Sequence, residues 1–221
     1  PSGIVYSENE LNEFAEILED YPSTYVLSDE IYEHIIYKEK HFSFANLPNM
    51  FDRTITVNGL AKAFSMTGWR IGYIGAPEFI AKACNKFQGQ ITSAANCIAQ
   101  RSAITALKAP VSKIKYMIDE FSSRKELIFD LISKIPGFKL LKPSGAFYLF
   151  PDISFYFGKL IRGKIINDAN DFAMTILEEA NVATVSGDSF GNKNCLRISF
   201  AASKEEIIEA ISRIKNLLAN N

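Results

Sequence analysis

A chain of 221 residues with 24 Lys+Arg against 25 Asp+Glu carries a formal net charge of −1, and 48% of its residues are hydrophobic. That length is enough to bury roughly 70% of the surface of its unfolded chain, which excludes disorder as the main state and allows one or two compact domains. The near-neutral balance lacks the basic excess of a nucleic-acid or anionic-membrane binder, and the longest uncharged stretch, 87–100, falls short of the ~18 apolar residues of a membrane span.

In chain order, Ser7-Glu8-Asn9-Glu10 is a capping box that opens an amphipathic helix running to about Asp20. A short strand is predicted at 24–28, ending at Asp29, a second at 54–57, ending at Asn58-Gly59, and a third at 71–75, ending at Pro77. Helical patterns follow from Glu78 to about Phe87 and from Ala94 to about Leu107. Strands interleaved with helices predict an α/β layer with its ligand site at the strand ends.

After Pro110 the pattern changes. A long helix, with Ile114, Met117, Ile118, Phe121, Ile128, Leu131, Ile132 and Ile135 at helical spacing, is predicted to stop at Pro136-Gly137. Then come a strand pair (138–141 and 146–150), a helix from about Asn170 to Asn181, and short strands at 183–185 and 196–200. A last helix opens on a second capping box, Ser203-Lys204-Glu205-Glu206. A domain boundary is therefore placed near 110, with 1–110 and 111–221 as two domains and a mixed α+β second half. The stretch 155–168 has no clear period.

Cys84, Cys97 and Cys195 are odd in number and form no CxxC pair, and only His34 and His41 stand beside them. Neither a disulfide framework nor a zinc set is available, so the expectation is a reduced, cytoplasmic compartment and no metal. The two histidines read as surface or helix-end residues. Gly158 to Gly163-Lys164 has P-loop spacing, but Ile165 stands where a magnesium-binding Ser/Thr would be needed, so it reads as a solvated basic loop.

The informative segment runs from Asn58 to Tyr73, NGLAKAFSMTGWRIGY. Lys62 sits among small and apolar neighbours just past a strand end, where a partly desolvated amine is a nucleophile for carbonyls. Alone it is better explained as a surface lysine. Asp29 ends a strand at the same kind of edge, and alone could simply cap the next turn. Arg70 alone could be a structural ion pair. Together with Tyr32 they offer an amine, a carboxylate, a phenol and a guanidinium, the groups that pyridoxal 5′-phosphate needs.

The segments Ser28-Asp29-Glu30-Ile31-Tyr32-Glu33-His34 and Val57 to Tyr73 resemble the signatures of class I pyridoxal-phosphate aminotransferases, most closely the bacterial aspartate/prephenate branch of the aspartate aminotransferases. The resemblance extends through Gly145-Ala146-Phe147-Tyr148 to Arg197-Ile198-Ser199-Phe200. It implies fold type I, with 1–110 as part of the large cofactor-binding domain and 111–221 as the small C-terminal domain with the interdomain helix. It also implies that Lys62 is the aldimine lysine and proton shuttle, Asp29 the pyridinium partner, Tyr32 a donor to the ring oxygen, Arg70 a phosphate ligand, and Arg197 the partner of the substrate α-carboxylate. From the strand pattern alone, Arg197 shares a face with Cys195 and Ser199, opposite Leu196, Ile198 and Phe200.

The implied reaction is transfer of an amino group between an L-amino acid, aspartate or glutamate first, and a 2-oxo acid. Aromatic, alanine or prephenate specificity, a C–S lyase, and a non-catalytic ligand-sensing or interaction module are the alternatives. A homodimer is implied too, residues 90–100 resembling the family's subunit-interface segment. Two departures stand out. Gly59 lies three positions before the lysine, where many relatives carry a hydroxyl. Pro1-Ser2-Gly3 resembles an Asn-Pro-x-Gly turn without its Asn, so the chain is expected to correspond to roughly the C-terminal half of such an enzyme.

Overall fold

The computed structural model describes residues 1–38 and 40–219 and divides into two compact units, Val5–Ile118 and Asp119–Asn221 together with Pro1–Ile4. In the first of these, α1 (Glu8–Glu19) begins as its sequence requires: the Ser7 hydroxyl accepts from the Glu10 amide at 3.3 Å while the Glu10 carboxylate accepts from the Ser7 amide at 2.8 Å. Leu11, Ala15 and Leu18 of α1 pack on Phe44, Leu47 and Met50, which lie on or at the ends of two single-turn 3₁₀ segments, Phe44–Asn46 and Phe51–Arg53. Arg53 closes the other end, donating to the carbonyls of Leu18 (2.9 Å), Tyr21 and Thr24 (2.7 Å). A guanidinium there satisfies carbonyls that the helix end leaves without partners.

The sheet of this unit has three strands, β1 (Val26–Asp29), β2 (Thr54–Gly59) and β3 (Gly72–Gly75), in that order. β1 and β2 are parallel with Asp29 opposite Val57; β2 and β3 are antiparallel with Gly59 opposite Gly72. Helices α2 (Glu78–Ile91) and α3 (Cys97–Lys108) follow. α2 runs a turn beyond its predicted end, through Gly89. α3 begins at Cys97 rather than Ala94, because the Asn96 side chain accepts from the amides of Ile98 (2.9 Å) and Ala99 (3.1 Å). The long helix predicted after Pro110 is a 3₁₀ turn, Val111–Lys113, followed by α4 (Lys115–Ser133), within which the two units divide.

The other unit holds β4 (Tyr148–Leu149), a hairpin of β5 (Leu160–Ile161) and β6 (Lys164–Ile165), α5 (Ala169–Ala180), β7 (Val185–Ser186), β8 (Leu196–Ser199) and α6 (Lys204–Ala219). β8 is the centre of a three-stranded antiparallel sheet, flanked by β4 and β7. The predicted pairing of 138–141 with 146–150 does not form. Lys139 instead bridges to Asp152, and β4 pairs with β8. Pro143 has no amide to donate, and the amides of Ser144 (2.8 Å) and Gly145 (2.9 Å) donate to the Gly3 carbonyl. Gly3 is at φ +71, and a Cβ there would lie 2.5 Å from Pro143, so only glycine fits.

The core of this unit is Phe138, Phe172, Ile176, Leu196, Ile198, Phe200 and the buried faces of α4 and α6, all under 9% exposed. The second capping box forms as predicted, with Ser203 and Glu206 exchanging bonds at 2.8 and 3.2 Å. The unreadable stretch 155–168 contains the β5–β6 hairpin. Among the described residues no helix is long and apolar enough to cross a membrane.

Candidate active site

The sheet register brings the predicted residues of the first unit to one edge. Asp29 ends β1, and its neighbour Val57 leads through Asn58 and Gly59 to Lys62, three residues beyond the end of β2. Because β3 runs the opposite way, its first residue, Gly72, lies beside Gly59, and Arg70 is only two residues before it. Tyr32 follows Asp29 by three. This is the carboxyl edge of a parallel strand pair, where α/β sheets bind ligands. Arg197 belongs to the other unit.

The turn that carries Lys62 is anchored by its neighbours. Leu60 (0% exposed) and Ala63 (3%) are buried on either side of it, and Lys62 itself is half-buried. The Leu60 carbonyl accepts from the amides of Phe64 (3.2 Å) and Met66 (3.3 Å), and the Lys62 carbonyl from Ser65 (3.2 Å). Gly59 is tight for a different reason: a Cβ there would be 3.1 Å from Gly72 Cα and 3.1 Å from the Ile71 carbonyl. The close approach of β2 and β3 leaves little room for a side chain at this position.

Two residues that follow Lys62 have left-handed backbones, Ser65 (φ 53) and Arg70 (φ 52). For residues other than glycine such a conformation costs on the order of 1 kcal/mol and tends to persist where structure around it demands it. Arg70 is exposed and its Nη1 donates to the Thr67 carbonyl at 3.0 Å. An open cavity of about 1250 Å³ lies on the Arg70 side of this edge, lined by Asn58, Ser65, Trp69, Arg70 and Tyr73 among others. Neither Lys62 nor Asp29 lines it. Trp69 and Tyr73 are each 43% exposed.

On the Asp29 side the structure shows groups that sequence reasoning missed. Asp29 is exposed, and its Oδ1 accepts from the Ile31 amide at 3.2 Å. Glu30 next to it is buried (6% exposed). Its carboxylate accepts from Ser28 Oγ (3.0 Å) and Ser43 Oγ (2.8 Å) and meets His41 Nε2 at 2.8 Å. Burial pushes the Glu30 carboxyl upward, but the bonds from His41, Ser43 and Ser28 outweigh it and the net shift is downward. His41 moves upward, chiefly through its bond to Glu30, with burial opposing.

His41, read from the sequence as a surface or helix-end residue, is the partner of a buried carboxylate. His34, also read as exposed, lies 3.4 Å from the Glu33 carboxylate and edge-on to Phe64. Glu33 in turn accepts from Asn58 Nδ2 at 2.8 Å. Glu30, Glu33 and His41 bring ligand atoms within 4.8 Å of one another, a spacing a cation could use. The donors already on both carboxylates account for that arrangement without one.

Arg197 is half-buried on β8, opposite Val185 of β7. Its guanidinium lies 4.4 Å from the Phe190 ring centre and 4.8 Å from that of Tyr148. Contact with two rings restrains the guanidinium, whose fork geometry suits a carboxylate. Cys195 shares its predicted strand face but is buried, one residue before the start of β8, where it bridges to Asp152. The signal for the ring clamp, Phe190 on a separate 3₁₀ turn, is not periodic.

The family model for aminotransferase class I and II matches residues 1–214, and the chain belongs to that family. It is 46% identical over 223 residues to a bifunctional aspartate aminotransferase and glutamate/aspartate-prephenate aminotransferase of Petunia hybrida, covering 99% of this chain and 47% of that protein. It is 43% identical to a probable aspartate/prephenate aminotransferase of Rickettsia felis, covering 97% of this chain and 53% of that one. Among solved structures, the aspartate aminotransferase of Rhizobium meliloti superposes with a TM-score of 0.94 at 38% identity, over 99% of this chain and 56% of that one. An aromatic aminotransferase from Pyrococcus horikoshii gives 0.90 at 36%, over 100% and 57%. The α/β architecture is that of fold type I, as the resemblance implied. The chain spans about half the length of the curated relatives it matches.

Proposed function

We propose that this chain carries the cofactor-holding residues of an aminotransferase that moves an amino group between an L-amino acid and a 2-oxo acid. The observation that supports the reading is the register of the sheet, in which Asp29 ends β1 beside Val57 and Gly59 meets Gly72, with Tyr32, Lys62 and Arg70 each two or three residues from those strand ends. That donor set fits pyridoxal 5′-phosphate: an amine for its aldehyde, a carboxylate for its ring nitrogen, a phenol for its ring oxygen and a guanidinium for its phosphate dianion. When bound, the cofactor supplies the electron sink for a carbanion at the substrate Cα.

Lys62 Nζ holds the cofactor and moves the Cα proton. Asp29 keeps a proton on the ring nitrogen, Tyr32 donates to the ring oxygen, and Arg70 pairs with the phosphate. Arg197 takes the substrate α-carboxylate, a role supported by its ring-clamped fork. The two units correspond to part of the large domain and to the small domain. Aspartate or glutamate is the proposed amino donor, supported by the names of relatives at 43–46% identity. By the same resemblance the whole protein is a cytoplasmic homodimer.

The test is borohydride reduction of the full-length protein loaded with pyridoxal 5′-phosphate, followed by peptide mapping. Label on Lys62 and 2-oxoglutarate-dependent consumption of aspartate are expected. Label on another lysine would overturn the assignment, and steady release of pyruvate and ammonia without an acceptor would replace transamination by elimination.

A further inference from the structure

Glu30 presents a physical problem that the site has to solve. An ionised carboxylate at 6% exposure is costly unless its lone pairs are filled. Its donors come from two directions: Ser28 from β1 itself, and His41 and Ser43 from the segment that returns after Tyr37. Those two long-range bonds close a loop of chain that begins beside Asp29 and contains Tyr32. The Glu30 amide meanwhile donates to the Val57 carbonyl at 2.8 Å.

A second tie joins the same loop to the lysine turn. Asn58, 7% exposed, donates from Nδ2 to Glu33 while its Oδ1 accepts from the Gly59 amide at 2.7 Å. The Glu30 amide bond to Val57 and the Asn58 bond to Glu33 thus tie the loop that follows Asp29 to β2, whose end leads to Lys62, while the Glu30 carboxylate fastens that loop through Ser28, His41 and Ser43. Among the described residues, the carboxylates that act on His41 are Glu30 and Glu33. Tyr73 of β3 feels the same two carboxylates, and its hydroxyl is pushed up by burial first and by Glu33 and Glu30 after it.

We propose that Glu30, His41 and Ser43 are positioning residues, a hydrogen-bonded clasp that holds the Asp29 carboxylate in register with the Lys62 turn. The inference rests on the pyridoxal-phosphate reading above. The clasp acts through Asp29: slackening it leaves the backbone folded but lets the carboxylate wander, and catalytic groups misplaced by a fraction of an ångström lose rate steeply. A purely structural bond would change stability and leave the electronic state of the bound cofactor as it was.

The experiment uses the full-length protein loaded with pyridoxal 5′-phosphate, in wild-type form and as His41→Ala, His41→Gln and Ser43→Ala. The readouts are the pH midpoint of the cofactor's visible absorbance, and kcat and KM for aspartate. His41→Ala is expected to raise the midpoint by about half a pH unit or more, because a weaker hold on the ring proton removes a positive charge that disfavours protonation at the Lys62 nitrogen. It should lower kcat about tenfold with KM changed less than about twofold. Ser43→Ala should move both in the same direction by less, and His41→Gln, which restores an Nε2 donor, should return most of the loss.

Wild-type midpoints in His41→Ala and Ser43→Ala would overturn the clasp and leave the bonds merely structural, as would a His41→Gln shift as large as that of alanine. If His41→Ala does not fold, Ser43→Ala and His41→Gln decide the matter alone. A wild-type protein with no cofactor absorbance fails the functional reading itself, and the clasp falls with it.

Discussion

The unit from Asp119 to Asn221 closes its core, whereas the unit from Val5 to Ile118 leaves much of its apolar surface open. In the former Phe172, Ile176, Leu196 and Phe200 are each 0% exposed. In the latter α2 buries no residue at all and every residue of β3 is exposed. Leu27 is 67% exposed, Phe87 69% and Ile91 75%. Yet the open unit is the one that carries Asp29, Tyr32, Lys62 and Arg70 at or near its strand ends. Its site is held by polar ties and backbone bonds around Glu30 and Asn58, while Arg197 in the closed unit is held by ring packing. Position can be set by either means, but only the second also supplies large hydrophobic stabilisation.

The sharpest way to break this contrast is at the chemistry. Lys62→Ala in the full-length protein should reduce aspartate–2-oxoglutarate transamination by about 10³-fold or more while leaving the thermal midpoint within a few degrees; retention of more than a tenth of the rate would sink the role of Lys62. Next in size is the core. Phe172→Ala should cost about 3–5 kcal/mol in urea unfolding, against less than about 0.5 kcal/mol for Phe87→Ala, because only the first leaves a cavity. Equal losses would mean that Phe87 is covered in the protein as it exists.

A third test addresses the polar ties through pH. His41 is raised above its ordinary 6.5, so its contribution is fully present below that value and fades as pH rises through the folded value. Glu30 is lowered below 4.5, so its contribution is present above 4.5 and is lost as pH falls through the folded value. The thermal stability advantage of wild type over His41→Gln should therefore be largest between about pH 4.5 and 6.5 and shrink toward pH 9. An advantage that grows with pH would contradict the pair.

The smallest effects compare like with like. Ser7→Ala and Ser203→Ala each remove a capping box, one in each unit, and each should cost about 1 kcal/mol in thermal or denaturant unfolding. A clear difference between them would show that the open unit is less cooperative than its cap geometry suggests.

What can be read from order along the chain is what depends on near neighbours. Both capping boxes, the three strands of the first sheet and the apolar stripe of α4 follow from spacing of a few residues. The long motif around Lys62 also names the family without a structure. The bonds that needed the fold are those between distant residues. Glu30 with His41 and Ser43, Asn58 with Glu33, and Arg197 between Tyr148 and Phe190 have no periodic signature. The pairing predicted for 138–141 fails on the same ground, since Lys139 bridges to Asp152 and β4 takes the distant β8 as its neighbour. Local hydrogen-bond geometry is written in adjacent residues, whereas a buried charge finds its donors only once the chain has brought them within 3 Å.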